Sequence, residues 1–126
     1  MKIAVAPIPR EKARNMLYHE KLDVYQIALQ LTAICFQIGE GIPRGYGALA
    51  DQLRRAAMSI PLNIAEGVGK TSAAEQARFH GIARGSAMEC GAILDVVRVV
   101  QGPADANDRA KALVIRVVEM LSKMCC

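Results

Sequence analysis

Apolar residues recur along the chain at spacings of three and four, the period of a helix buried along one side. The clearest case is Leu49, Leu53, Ala56, Ala57, Ile60 and Ile64. Before it, Val24, Ile27, Ala28, Leu31, Ile34, Cys35 and Ile38 predict a helix from about Leu22 to Ile38. After it, Phe79, Ile82, Ala83, Ser86, Cys90, Ile93, Leu94 and Val97 predict a helix from Ser72 to about Val100. Ala110, Leu113, Val114, Val117, Met120, Leu121 and Met124 predict the last, from about Asp105 to Lys123. Ile115 and Val118 widen its apolar surface, which points to a subunit contact there. β-Branched residues are plentiful, but they fall at helical spacing, which decides for helix over strand.

The breaks are as clear as the runs. GEGIPRGYG, residues 39–47, is a loop signal, with the second helix beginning near Tyr46 or Gly47. Gly102 and Pro103 end the third helix. Within the second helix, Pro61 lacks an amide hydrogen and crowds the Ala57 carbonyl, which predicts a bend or a break. Gly67 and Gly69 are expected to end that helix with positive φ. Ser72 with Glu75 three residues on reads as a capping box for the next helix. The prediction is an all-α, antiparallel up-down-up-down four-helix bundle over residues 19–126. Residues 1–18 have no clear period and are expected to form a flexible basic arm.

Polar residues interrupt this pattern at one place. Arg55, Ser59, Asn63 and Glu66 form a stripe beside the apolar face of the second helix. A buried polar group without a partner costs about 1–3 kcal/mol, so these residues call for partners. Arg55 and Glu66 are too far apart along the helix to pair. Ser86 and Glu89 on the third helix complete an expected structural network of Ser59, Asn63, Glu66, Ser86 and Glu89. Gly81, Gly85 and Gly91 each lower helix propensity by about 1 kcal/mol against Ala, which predicts a close neighbour, either helix two or another subunit.

At 126 residues the chain is one domain, and with 52% hydrophobic but only 4% aromatic residues its core must be aliphatic. The formal charge is +4, and residues 1–21 hold most of the excess, with five basic and two acidic groups. Such a balance permits nucleic-acid contact without demanding it. Arg10, Lys12 and Arg14 in the arm could meet phosphate, or simply solvate the tail. No apolar run approaches the length of a membrane span and no secretory core precedes Pro7, so a cytoplasmic, reducing setting is expected. Cys35 and Cys90 read as core residues, and Cys125 and Cys126 as thiols on a frayed terminus. No Cys-x-x-Cys spacing points to zinc, and no metal or cofactor is expected.

Catalytic patterns find no support. GVGKTS lacks the P-loop glycine, since Ile64 stands five residues before Gly69, and a helix rather than a strand precedes it. Met16 and Ala77, three residues before His19 and His80, exclude the Glu-x-x-His pairs of di-iron bundles. No elbow motif surrounds any serine. Glu66 and Glu89 could act as an acid–base pair only if brought together beside a cleft, for which the sequence offers nothing. The chain is read as a non-enzyme with no small-molecule substrate.

Arg54, Arg55, Ala56, Ala57, Ser59 and Ile60, then Asn63-Ile64-Ala65-Glu66-Gly67, then Ile82-Ala83-Arg84-Gly85-Ser86 with Glu89, resemble a family of small bacterial four-helix bundles. These proteins are encoded in intervening sequences of large-subunit ribosomal RNA genes, and the accessory protein of diversity-generating retroelements is a relative. The resemblance covers roughly Leu22 to Val100, and the last helix only by length and pattern. It implies a ring-shaped oligomer, a homopentamer, and nucleic-acid binding has been proposed for some members. The leading expectation is therefore an oligomeric binding module that contacts RNA or DNA through Arg54, Arg55, Lys70, Arg78 and Arg84. The alternative is a scaffold or accessory protein that recognises a protein partner.

Overall fold

The computed structural model describes residues 16–125. Four helices follow one another: α1 (Asp23–Gly41), α2 (Gly47–Val68), α3 (Ala73–Gln101) and α4 (Asp105–Cys125). A 3-10 turn over Tyr18–Lys21 leads into α1, and another over Arg44–Tyr46 leads into α2. The helices pack as a bundle in which each touches its neighbours in sequence and α1 closes against α4. Residues 1–15, and with them the arm's Arg10, Lys12 and Arg14, lie outside the described residues, as does Cys126.

The predicted stripes supply the core. Leu31, Leu53, Ile60, Ile64, Leu94, Val97, Val117 and Leu121 are fully or almost fully buried. Each such side chain contributes roughly 1.5–3 kcal/mol on leaving water. Cys35 and Cys90 meet inside, Sγ to Sγ 3.7 Å, as two unbonded thiols. The hydrogen bond with the Cys90 thiol, and burial after it, push the Cys35 thiol far above its ordinary range. One expected core residue is misplaced: Ile82 is 40% exposed. Ala83, Cys90, Ile93, Leu94 and Val97 of the expected stripe are buried, and His80, Ala87 and Gly91 join them. On α4 the outer face is less apolar than expected, because Val118 is half-buried and only Ile115 stands out, at 56% exposed.

Helix ends differ from expectation in instructive ways. α1 runs three residues past Ile38, through Gly39 and Glu40 to Gly41. Gly39 is buried because the Arg54 guanidinium lies over it, 3.2 Å from where a Cβ would stand. α2 is not ended by a positive φ at Gly67 or Gly69: Gly69 caps it at φ −75°, and Gly67 is a buried helical residue. Gly67 provides room, since a Cβ there would stand 2.9 Å from the His80 ring and 3.1 Å from the Phe79 Cβ. The left-handed φ, 86°, is at Gly102, between α3 and α4. Ser72 caps α3 through its Oγ, which accepts from the Glu75 amide at 3.1 Å. The Glu75 carboxylate turns to Arg78 instead of closing the box.

The helix does not break at Pro61, which is buried within α2. A proline there leaves the Ala57 carbonyl without its usual helical donor. Thr32 of α1 stands beside it: its single hydroxyl proton is shared between the Ala28 carbonyl oxygen at 2.8 Å and the Ala57 carbonyl oxygen at 3.2 Å. The side chain of one helix thus compensates in part for a bond that the sequence of another removed. On α4, Asn107 is likewise buried, and its Nδ2 donates to the Leu94 carbonyl at 2.9 Å.

Two substitutions test these contacts by urea unfolding. Thr32→Val, which keeps the shape and removes the donor, is expected to cost about 1–2 kcal/mol. Gly67→Ala is expected to cost about 1–3 kcal/mol by forcing His80 and Phe79 off α2, whereas Gly81→Ala, which meets open space, should be neutral or stabilising. Equal effects at Gly67 and Gly81 would contradict the packing role.

Candidate nucleic-acid interface and polar seam

Where α2 and α3 run side by side, the expected network is present in part. Ser59 and Ser86 hydroxyls bond across the helices at 2.7 Å. Asn63 donates through Nδ2 to the Ser59 carbonyl at 2.8 Å and lies 2.9 Å from Ser59 Oγ. These three satisfy one another at the edge of the core. The carboxylates do not join them. Glu66 is exposed and pairs with Lys70 one turn on, at 3.3 Å. Glu89 is exposed and has no ion pair or hydrogen bond among the described residues. Glu66 and Glu89 therefore form no acid–base pair.

The five basic residues occupy different places. Arg54 pairs with Asp51 at 3.4 Å and covers Gly39. Arg84 reaches from α3 to α4, its Nε donating to Ser122 Oγ at 2.7 Å. Both are half-buried and tie elements of the fold together. Arg55 is exposed and, among the described residues, has no ion pair. Lys70 and Arg78 come together on one ring: Lys70 Nζ stands 5.0 Å, and Arg78 Cζ 4.6 Å, from the Phe79 centroid. Each also has a carboxylate neighbour, Glu66 and Glu75 respectively. Exposed pairs of this kind are worth about 0–1 kcal/mol, so a phosphate can displace them. Lys70, Arg78 and Arg55 are therefore the members of the set open to an anion.

Helical spacing places an apolar surface on the solvent side of this seam. On α3, Ile82, Gly85, Glu89, Ala92, Val96 and Val99 fall at steps of three and four and all are exposed, Val99 at 85%. On α2, Met58 and Leu62 stand exposed one turn apart. Glu89 is the one acidic group in the α3 row. The glycines add to this: a Cβ at Gly81 or Gly85 would meet nothing within 4 Å, whereas Gly91 packs against Val114 of α4. Among the described residues, then, only Gly91 has the close neighbour expected for all three, and that neighbour, Val114, is on α4 rather than on helix two or another subunit. The sequence reading missed this row, because it counted Ile82 as core.

His80 was not singled out by its sequence context. The residue is 6% exposed, and among the described residues its Nε2 has no hydrogen-bond partner. Burial lowers its pKa below the ordinary 6.5, against a smaller opposing effect of the Ile64 carbonyl. Among the described residues, no three His, Cys, Asp or Glu side chains group to hold a metal, and no helix is long and apolar enough to cross a membrane.

The lowered pKa carries a pH dependence. The unfolded chain binds a proton on this histidine more readily than the folded chain does, so stability is intact above about pH 6.5 and falls as pH drops below it. Urea midpoints between pH 7.5 and 5 are expected to fall less in His80→Asn than in the parent chain; equal slopes would assign the acid sensitivity elsewhere.

A family model described as 23S rRNA-intervening sequence protein matches residues 20–123. No curated protein matches the chain.

Proposed function

The chain belongs to the 23S rRNA-intervening sequence protein family, and from that premise we propose that it is a non-enzymatic, oligomeric four-helix module that binds nucleic acid in a cytoplasmic setting. The observation that carries this reading is the pair of cations over the Phe79 ring, Lys70 and Arg78, neither buried and each held by an exposed pair weak enough to exchange for phosphate; Arg55, exposed and without an ion pair among the described residues, adds a third positive group elsewhere on α2. Arg54 and Arg84, engaged in the fold, support it indirectly by fixing α2 against α1 and α3 against α4.

The exposed row on α3 supports assembly. Five of its six positions are apolar or glycine, and contiguous exposed apolar surface of this kind marks an interaction site. A second copy that covers it would give Gly85, which lies in the row, the close neighbour that it lacks among the described residues. Heterologous contacts that close by rotation give a ring, here a homopentamer as the resemblance implies. Repetition around a ring would turn weak phosphate contacts into useful affinity that falls steeply with salt.

A second reading, a scaffold that recognises a protein partner, draws on the same apolar row. It differs in what it requires of the cations, since it survives reversal of Arg55, Lys70 and Arg78.

Two measurements test the proposal. Light scattering on the eluting protein is expected to give a mass several times the 13.6 kDa chain, and Val96→Glu with Val99→Glu should lower it. Gel shift with structured RNA and duplex DNA is expected to show binding at low salt that Lys70→Glu with Arg78→Glu weakens at least tenfold. Absence of any shift with the assembled protein would remove nucleic-acid binding and leave the scaffold.

A further inference from the structure

At the end of the bundle where α2 passes to α3, a cleft of about 430 Å³ is lined by Tyr18, Leu22, Val68, Gln76, His80 and Met124. It draws on the 3-10 turn, on Leu22 at the entry to α1, and on α2, α3 and α4. We propose that this cleft receives one unpaired nucleobase, with the attached phosphate at Lys70. The inference rests on the nucleic-acid reading and names the part of the ligand that would be recognised.

The chemistry of the walls selects the occupant. A nucleobase has two flat apolar faces and a polar edge, and single-stranded bases are bound by stacking on aromatic rings and by hydrogen bonds to that edge. Tyr18 offers a ring that is 69% exposed, which the bundle does not otherwise use. Leu22, Val68 and Met124 supply apolar wall. Gln76 is fixed: its Nε2 donates to the Lys70 carbonyl at 2.8 Å, which leaves Oε1 to accept from a base. His80 backs the cleft with a neutral ring whose Nε2 is unpartnered among the described residues. The volume is within the range of sites that hold small ligands and exceeds one base, leaving room for the sugar.

A cation on the same short connection is the candidate for the rest of the nucleotide. The bond from Gln76 brings the Lys70 carbonyl to the edge of the cleft, and the Lys70 side chain is half-buried, with its ammonium beside exposed Glu66 and over the Phe79 ring. A fully paired duplex cannot place a base in such a cleft, so binding should favour RNA with an open loop.

The full chain serves for the test. Ligand-observed NMR with the four ribonucleoside 5′-monophosphates is expected to show binding that Tyr18→Ala or Gln76→Ala weakens by about fivefold or more. Gel shift should favour an RNA hairpin with an unpaired loop over a duplex of equal length, and both variants should abolish that preference. Circular dichroism melts check that the variants stay folded. Monophosphates that fail to bind, or that bind all three proteins alike, overturn the pocket. If RNA still shifts with loop and duplex equal, the nucleic-acid reading stands without it. If monophosphates bind through Tyr18 and no RNA shifts, the pocket stands and the nucleic-acid reading falls.

Discussion

The fold depends on how closely α2 and α3 approach. Ala56 and Ala57 on one helix, and Ala83 and Ala87 on the other, are almost or fully buried, and Gly67 leaves room for the His80 ring. Small residues let two backbones come near enough for short polar side chains to bridge them. Ser59 meets Ser86 directly at 2.7 Å, a contact that longer neighbours would prevent. Asn63 then turns its amide back onto its own helix. The seam is thus closed at its edge by groups that satisfy each other, and no unpaired charge is buried in it.

Pro61 makes the same point from another direction. A proline inside a helix normally costs about 3 kcal/mol or more, partly through the carbonyl it leaves unmet. Here that carbonyl faces α1, where the Thr32 hydroxyl shares its one proton between it and the closer Ala28 carbonyl of its own helix. α2 can remain one helix of 22 residues because α1 is packed against it. Local sequence predicts a break, and tertiary contact removes the reason for one.

This separates what was legible in the sequence from what was not. The helices were legible because burial on one side imposes a period, and Leu53, Ile60, Ile64, Leu94 and Leu121 keep it. The end of α2 was misread because a glycine can serve φ or space, and sequence does not distinguish them: Gly67 serves space and Gly102 serves φ. Ile82 was misread because it lies one helical step from the seam, where a small shift of register moves a side chain from core to solvent. The partners of Thr32 and Asn107 lie 25 and 13 residues away, beyond any local pattern. At the candidate interface, the list of basic residues was readable, but which of them the fold employs was not. Arg54 and Arg84 look like Arg55 in sequence and differ only in what faces them.

That difference bears on how binding could arise from a chain so nearly balanced in charge. Residues 51–100 carry six basic and five acidic groups, and a uniform field over them would be weak. Local arrangement matters more than the sum. A cation set over an aromatic face keeps an exposed, ordered position at little entropic cost, and cation–π attraction adds roughly 0.5–1 kcal/mol at such a site. Lys70 and Arg78 both lie over the ring of Phe79, so two positive groups are kept near one side chain although each has a carboxylate within reach. A phosphate that displaces Glu66 or Glu75 exchanges one screened pair for another. The net gain per chain is small, which is why such a surface would depend on repetition in an assembly rather than on a single strong site.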